Sequence, residues 1–183
     1  MVLIISGTNR KDSNTAIFSK FVYQKFCELN TEPVCFIDLA DIERHILNSN
    51  INGESDMSAE LSRLQDEKII PADKWILLSP EYNGGFPGLV KWFIDVLSVR
   101  KYAETFVGKK LGLIGVSSGR SGNLRGMEAL TGIFNYLKIT VYPDKLPVSS
   151  VSQIIDANRQ IEPDTQEILS KWVIDFHRWS NQK

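Results

Sequence analysis

The sequence predicts a doubly wound α/β fold, in which helices cover both faces of a mostly parallel β-sheet. Short apolar runs alternate with longer segments whose apolar residues recur every three or four positions, which is the pattern of fully buried strands between amphipathic helices. The chain has 183 residues, and separate cores become common only beyond roughly 250 residues. We therefore expect one domain that spans residues 1–183.

Five apolar runs are predicted to form the strands of this sheet. Most are followed by residues that stop a strand, such as the Gly and polar side chains after the first run, Pro80 after the third and Pro143 after the fifth. The predicted strands are Val2–Ser6, Val34–Asp38, 74–79, 111–116 and 139–142.

Four segments carry the apolar stripe of an amphipathic helix, and they cover residues 16–29, 89–97, 124–137 and 168–179. Ser13 or Asn14 can cap the first helix, and Pro87 suits the first turn of the second. Residues 58–70 are also predicted as a helix. Residues 41–56 are polar and rich in Asn, so they are predicted mostly as loop.

The composition argues against several classes of function. With 21 Lys and Arg against 22 Asp and Glu, the net charge is -1, which indicates neither a nucleic acid nor an anionic membrane as a partner. No apolar run reaches the ~18 residues of a membrane span. His45 and His177 lie far apart, so no metal site is expected, and Cys27 and Cys35 are interpreted as buried thiols. We expect a cytoplasmic protein.

The loop after the first strand, residues 6–15, has the composition of a phosphate site. It combines hydroxyls with Arg10 and ends at the start of a helix, whose free N–H groups attract anions. It matches neither the glycine-rich loop of nucleoside triphosphatases nor the Gly-x-Gly-x-x-Gly motif. Taken alone, the loop is equally compatible with a capped turn.

Two further loops follow the third and fourth strands. Residues 80–88 offer the paired Gly84 and Gly85, which allow a flat ligand to approach the backbone, beside the aromatic Tyr82 and the amide of Asn83. Residues 117–123 again combine hydroxyls with flexible backbone. Each loop is also compatible with an ordinary strand-to-helix turn. Ligands of open α/β sheets bind at the carboxyl ends of the strands, so three such loops together favour a binding site.

The segment 79–91, followed by Asp95, resembles the NADPH-dependent FMN reductase family, a flavodoxin-like group that includes chromate, quinone and azo-dye reductases. Residues 7–13 are similar to the phosphate loop of that family. The resemblance implies a flavodoxin-like three-layer fold whose five-stranded parallel sheet has the order 2-1-3-4-5. The chain departs from the family pattern at Trp92, where Asn is usual, and at Asn123, where a second Gly is typical.

Carried over by position, the resemblance implies that the first loop holds the phosphate of FMN, the second lines its ribityl chain and isoalloxazine, and the third borders the far side of the ring. No residue is predicted as a catalytic acid or base, or as a metal ligand. The predicted FMN-binding residues are Thr8, Arg10, Ser13, Asn14 and Thr15 in the first loop, Pro80, Glu81, Tyr82, Asn83 and Gly84 in the second, and Ser117 and Gly119 in the third.

The implied function is electron transfer from NADPH or NADH to a small-molecule acceptor, by hydride transfer in a ping-pong sequence. The acceptor, which is a flavin, quinone, azo compound or metal oxyanion, and the preferred nicotinamide stay open. The resemblance also implies a homodimer or homotetramer, with the helix after Pro87 near the subunit contact. Two alternatives are a flavodoxin-type electron carrier, which the nearly neutral charge disfavours, and a flavin-less binding or regulatory module.

Overall fold

A parallel β-sheet runs through the centre of the protein. The computed structural model describes residues 1–29 and 31–182. The strands within these residues are Val2–Ser6 (β1), Val34–Asp38 (β2), Lys74–Pro80 (β3), Lys110–Val116 (β4), Thr140–Val141 (β5) and Leu146–Val148 (β6). Their order is β2-β1-β3-β4-β5, and β6 pairs with β4 beyond the end of β5. The predicted fold class and strand order are therefore confirmed.

Helices cover both faces of the sheet. They are Asn14–Leu29 (α1), Leu39–Leu47 (α2), Ala59–Leu64 (α3), Gly88–Ser98 (α4), Tyr102–Phe106 (α5), Leu124–Tyr136 (α6), Val151–Ile154 (α7) and Pro163–Ser180 (α8). Neighbouring residues of one strand serve opposite faces, as the period of two requires. Leu3 and Ile5 join a core formed with α2 to α6, whereas Ile4 joins a second core formed with α1 and α8. The central strands β1, β3 and β4 are thus buried on both sides, which explains their nearly uninterrupted apolar sequences.

The prediction that residues 41–56 are mostly loop is wrong, because α2 occupies the first half of this segment. Asp38, the last residue of β2, also caps this helix by accepting a hydrogen bond from the Ala40 N–H. Burial raises the pKa of its carboxyl above the ordinary value. Leu39 and Ile46 provide the buried side of the helix. The strand leads directly into the helix, so no separate turn marks the boundary.

The helix predicted at residues 58–70 is confirmed by α3 and by the π-helical turn Gln65–Ile69 that continues it. Two smaller predictions need correction. The fifth strand is shorter than predicted, and the three residues of β6 that follow it were not predicted. Cys27 is exposed rather than buried, because it lies on the outer side of α1, while Cys35 is only half-buried.

Trp92 packs within its own chain. Its indole N–H donates to the carbonyl of Ile46 at 3.0 Å, and its ring lies against the core on that side of the sheet. The substitution of Trp for the usual Asn therefore ties α4 to the end of α2. None of the helices in residues 1–29 and 31–182 combines the length and the apolar character needed to cross a membrane.

Candidate functional site

The three loops identified in the sequence meet at the carboxyl edge of the sheet. Strand order reverses between β1 and β3, and ligands of doubly wound folds bind at this point. A cavity of about 300 Å³ lies there. Its lining consists of Thr8, Arg10, Lys11, Asp12, Ser13, Asn14, Thr15, Pro80, Glu81, Tyr82, Val116, Ser118 and Val151.

The first loop supplies one end of this cavity with positive charge and hydrogen-bond donors. Ser13 caps α1, because its hydroxyl oxygen accepts from the Ala16 N–H at 3.1 Å. The first N–H groups of a helix have no acceptor within the helix, and they carry a partial positive charge that adds to those of Arg10 and Lys11. The Thr15 hydroxyl lies in the same wall. Such a set of donors suits a phosphate dianion.

The first and second loops are joined by a direct hydrogen bond. The hydroxyls of Thr8 and Tyr82 lie 2.7 Å apart, and Thr8 also accepts from the Arg10 N–H at 3.1 Å. The Arg10 guanidinium lies over the Tyr82 ring, with its central carbon 4.7 Å from the ring centre. Tyr82 is therefore part of the site and not of the core, and one of its faces is covered by the arginine.

The second loop contains a tight turn at residues 82–85. Tyr82 and Gly85 exchange two backbone hydrogen bonds, of 2.8 and 3.0 Å. Asn83 and Gly84, at the centre of the turn, have φ angles of 52° and 79°. Positive φ at both central positions is the geometry of a type I′ turn, for which Asn-Gly is the preferred sequence. The N–H groups of Asn83 and Gly84 take no part in these two bonds.

The third loop is closed on itself by Ser117. Its hydroxyl donates to the Gly119 carbonyl at 2.9 Å and accepts from the Gly122 N–H at 3.0 Å. The next side chain, Ser118, points into the cavity instead. A hydrogen bond from the Ser121 hydroxyl to the Glu81 carboxylate connects this loop to the second one.

Of the twelve predicted residues, eight line the cavity and four do not. Asn83, Gly84, Ser117 and Gly119 lie beside it, in the turn and the loop described above. The predicted set lacked Lys11, Asp12 and Val116, and it lacked Ser118, although that residue directly follows Ser117. It also lacked Val151, which lies in a short helix that the sequence did not predict. Arg120, in the same loop as Ser117, is exposed.

The comparison with protein families is decisive for the identity of the chain. The sequence model of the family described as NADPH-dependent FMN reductase matches residues 1–153. The chain belongs to this family. The predicted family, the oxidoreductase class and the cofactors, FMN with a reduced nicotinamide, are thereby confirmed.

Individual members of the family resemble the chain along nearly its whole length. A 2-hydroxy-1,4-benzoquinone reductase from a Burkholderia species is 29% identical over 181 residues, which cover 97% of this chain and 94% of the relative. An NAD(P)H-dependent FMN reductase from Pseudomonas aeruginosa is 29% identical over 182 residues, with coverages of 97% and 94%. The structure of FerB, a flavoenzyme NAD(P)H:(acceptor) oxidoreductase from Paracoccus denitrificans, matches with a TM-score of 0.76 and 23% identity, over 97% of this chain and 95% of FerB. This last likeness shows the fold.

The residues of the cavity fit the cofactor that the family name implies. The lining carries two cationic side chains and the start of a long helix, as a phosphate requires. It also carries the half-buried Tyr82 ring, and the turn with positive φ angles lies beside it. The hydroxyls of Thr8 and Tyr82 in the same lining suit a polyhydroxylated chain.

Proposed function

We propose that the protein passes electrons from NADPH or NADH to a small-molecule acceptor, with FMN bound in the cavity at the carboxyl edge of the sheet. The observation that carries the proposal is the joining of three loops, one with the chemistry of a phosphate site, around a single cavity. FMN, when bound, supplies two-electron redox chemistry. A quinone, an azo compound, a free flavin and a metal oxyanion are the acceptor classes under test.

The residues of this chain are proposed to bind and orient the cofactor. The first loop binds the phosphate through Thr8, Arg10, Ser13, Asn14 and Thr15. The second and third loops then surround the ribityl chain and the ring. The proposed contacts there are Pro80, Glu81, Tyr82, Asn83, Gly84, Ser117 and Gly119.

The turn at residues 82–85 has a second proposed role. The N–H groups of Asn83 and Gly84 are not used within the turn. Two aligned N–H groups stabilise negative charge in the same way as an oxyanion hole. We infer that they would stabilise negative charge on the ring of bound FMN. A side chain that acts as general acid or base is not needed for this role.

The two substrates are proposed to use the open side of one cavity in turn, which corresponds to a ping-pong sequence. We also propose a homodimer or homotetramer. In support, an apolar groove of about 530 Å³ lies between α4 and α6, and Tyr136 at its rim is 83% exposed. Two free cysteines and the need for reduced nicotinamide fit a cytoplasmic location.

A steady-state assay tests the proposal. The protein loaded with FMN is mixed with NADPH or NADH, and the absorbance at 340 nm is followed with each class of acceptor. We expect oxidation that depends on the acceptor, with parallel lines in double-reciprocal plots. A flavin-loaded protein that oxidises neither nicotinamide would instead be an electron carrier, and a protein that takes up no FMN would be a binding module.

A further inference from the structure

A buried asparagine joins the end of β3 to the start of α6. Asn123 is 1% exposed, and its Nδ2 donates to the carbonyl oxygens of Ser79 and Pro80, each at 2.9 Å. The Ser79 hydroxyl lies 3.2 Å from the same nitrogen. Carbonyl oxygens only accept hydrogen bonds, so the amide must present its NH₂ group on this side.

The two carbonyl groups belong to the part of β3 that borders the cavity. β1 pairs with β3 only as far as Ser6, which lies opposite Leu78. Ser79 and Pro80 therefore extend beyond β1, where the sheet opens towards the site. Pro80 lines the cavity, and Glu81, the next residue, begins the second loop. The amide of Asn123 thus holds the strand end from which this loop departs.

Local stability does not explain an asparagine at this position. Its φ of 60° suits Gly better than any other residue, and its side chain caps no N–H group of α6. Its Oδ1 is buried and has no hydrogen-bond partner among the described residues. The amide also requires a Gly at position 126, because a Cβ there would lie 2.1 Å from Oδ1. A Gly inside a helix and an unpaired buried acceptor both lower stability.

We propose that Asn123 is a positioning residue that sets the geometry of the second loop towards FMN, acting through Ser79 and Pro80. This proposal rests on the proposed function. The amide fixes the direction of the Pro80 carbonyl and so the start of Glu81 and Tyr82. It also donates to two carbonyl dipoles at the edge of the cavity and so reduces the negative potential that they direct towards the bound cofactor. The side chain itself does not touch the cofactor.

The test compares Asn123→Gly with a control variant of Gln65, a residue whose hydrogen-bond partners lie at and beyond the end of α4. Gly keeps the positive φ and removes only the amide. Gln65 is the control because its buried Nε2 also donates to two carbonyls and one hydroxyl, those of Leu97, Arg100 and Thr105, at 3.0, 2.8 and 2.8 Å. Gln65→Ala therefore removes donations to the same number of acceptors, away from the cavity, together with the hydrogen bond that Gln65 Oε1 accepts from Arg100. Unfolding of the flavin-free proteins, FMN titration, the visible absorption spectrum and the midpoint potential are measured for each.

We expect Asn123→Gly to weaken FMN binding about tenfold, which corresponds to the loss of about one net hydrogen bond between the displaced second loop and FMN. We also expect it to shift the absorption maxima and to make the midpoint potential more negative. Gln65→Ala should lower stability and leave affinity, spectrum and potential unchanged. The proposal is overturned if Asn123→Gly binds FMN with the affinity, spectrum and potential of the wild type, or if both variants change them equally.

A second variant covers a failure of Asn123→Gly to fold. Asn123→Asp keeps the shape and the tolerance of positive φ but places an acceptor where the donor was. We expect the same direction of change in affinity and potential, and unchanged values would overturn the proposal. If the wild type itself binds no FMN, the proposed function fails, and this outcome is separate from any difference between the variants.

Discussion

Replacement of Arg10 by Ala is the sharpest test of the phosphate end of the cavity. The guanidinium lies over the Tyr82 ring, an interaction that contributes about 0.5–1 kcal/mol at an exposed site. A charge-assisted bond to a phosphate contributes about 1.5–3 kcal/mol. When the phosphate contact replaces the ring contact, the net contribution is the difference, about 1–2 kcal/mol.

This difference corresponds to FMN binding that is about 5- to 30-fold weaker in Arg10→Ala. The assay is a titration followed by flavin fluorescence, performed with FMN and with riboflavin, which lacks the phosphate. The loss should appear with FMN and not with riboflavin. Arg120→Ala is the control, because this exposed arginine lies in the third loop and outside the cavity lining. An equal loss for both ligands, or an unchanged FMN affinity, would refute the assignment of Arg10 to the phosphate.

Three further predictions concern two hydrogen bonds between separate elements and one buried lysine. Tyr82→Phe removes the hydrogen bond to Thr8 and should weaken FMN by about 0.5–1.5 kcal/mol in the same titration; an unchanged affinity would make that bond irrelevant. Trp92→Phe removes the bond to the Ile46 carbonyl and should lower the free energy of unfolding in urea by about 1–3 kcal/mol, with unaltered FMN affinity as its check. Burial lowers the pKa of Lys109 from 10.5 to about 8, so the folded protein releases this proton before the unfolded chain does. The unfolding free energy of the wild type minus that of Lys109→Met should therefore rise from pH 8 to 10.5, because only the wild type gains stability as this proton is lost. A difference that does not change with pH would contradict the lowered pKa.

The fold could be predicted from the sequence because a strand that is buried on both faces requires a continuous run of apolar residues, and such runs are visible in the sequence. The location of the site followed from topology, since the loops after β1, β3 and β4 must meet at one edge of the sheet. Their composition then indicated a phosphate at one end. These inferences needed only the order of the elements and the chemistry of the loops.

Side-chain direction inside the loops was beyond this reasoning. Ser117 and Ser118 are identical residues in sequence, and only the two hydrogen bonds of Ser117 within its own loop decide which one faces the cavity. Val151 was missed because it follows a three-residue strand that contains Pro147. Proline usually argues against a strand, and here it is accepted at the edge of the sheet, where its missing N–H is not required. Neither the hydrogen bonds of Ser117 within its loop nor the pairing of β6 with β4 leaves a pattern in the sequence.

Non-glycine residues with positive φ are concentrated around the cavity. Four of the seven non-glycine residues with positive φ in residues 1–29 and 31–182 lie in the loops at this edge: Asp12, Asn83, Asn123 and Ser150. This conformation costs about 1–2 kcal/mol for most residues other than Gly and less for Asn and Asp, and contacts with other parts of the chain offset it. The Arg159 guanidinium donates to the Asp12 carbonyl, and the Ser150 N–H donates to the Gly119 carbonyl. At Asn123 the offset comes from the amide that holds β3. These hydrogen bonds hold the residues at positive φ and also connect the loops to one another. The same contacts therefore maintain the backbone strain and the shape of the cavity.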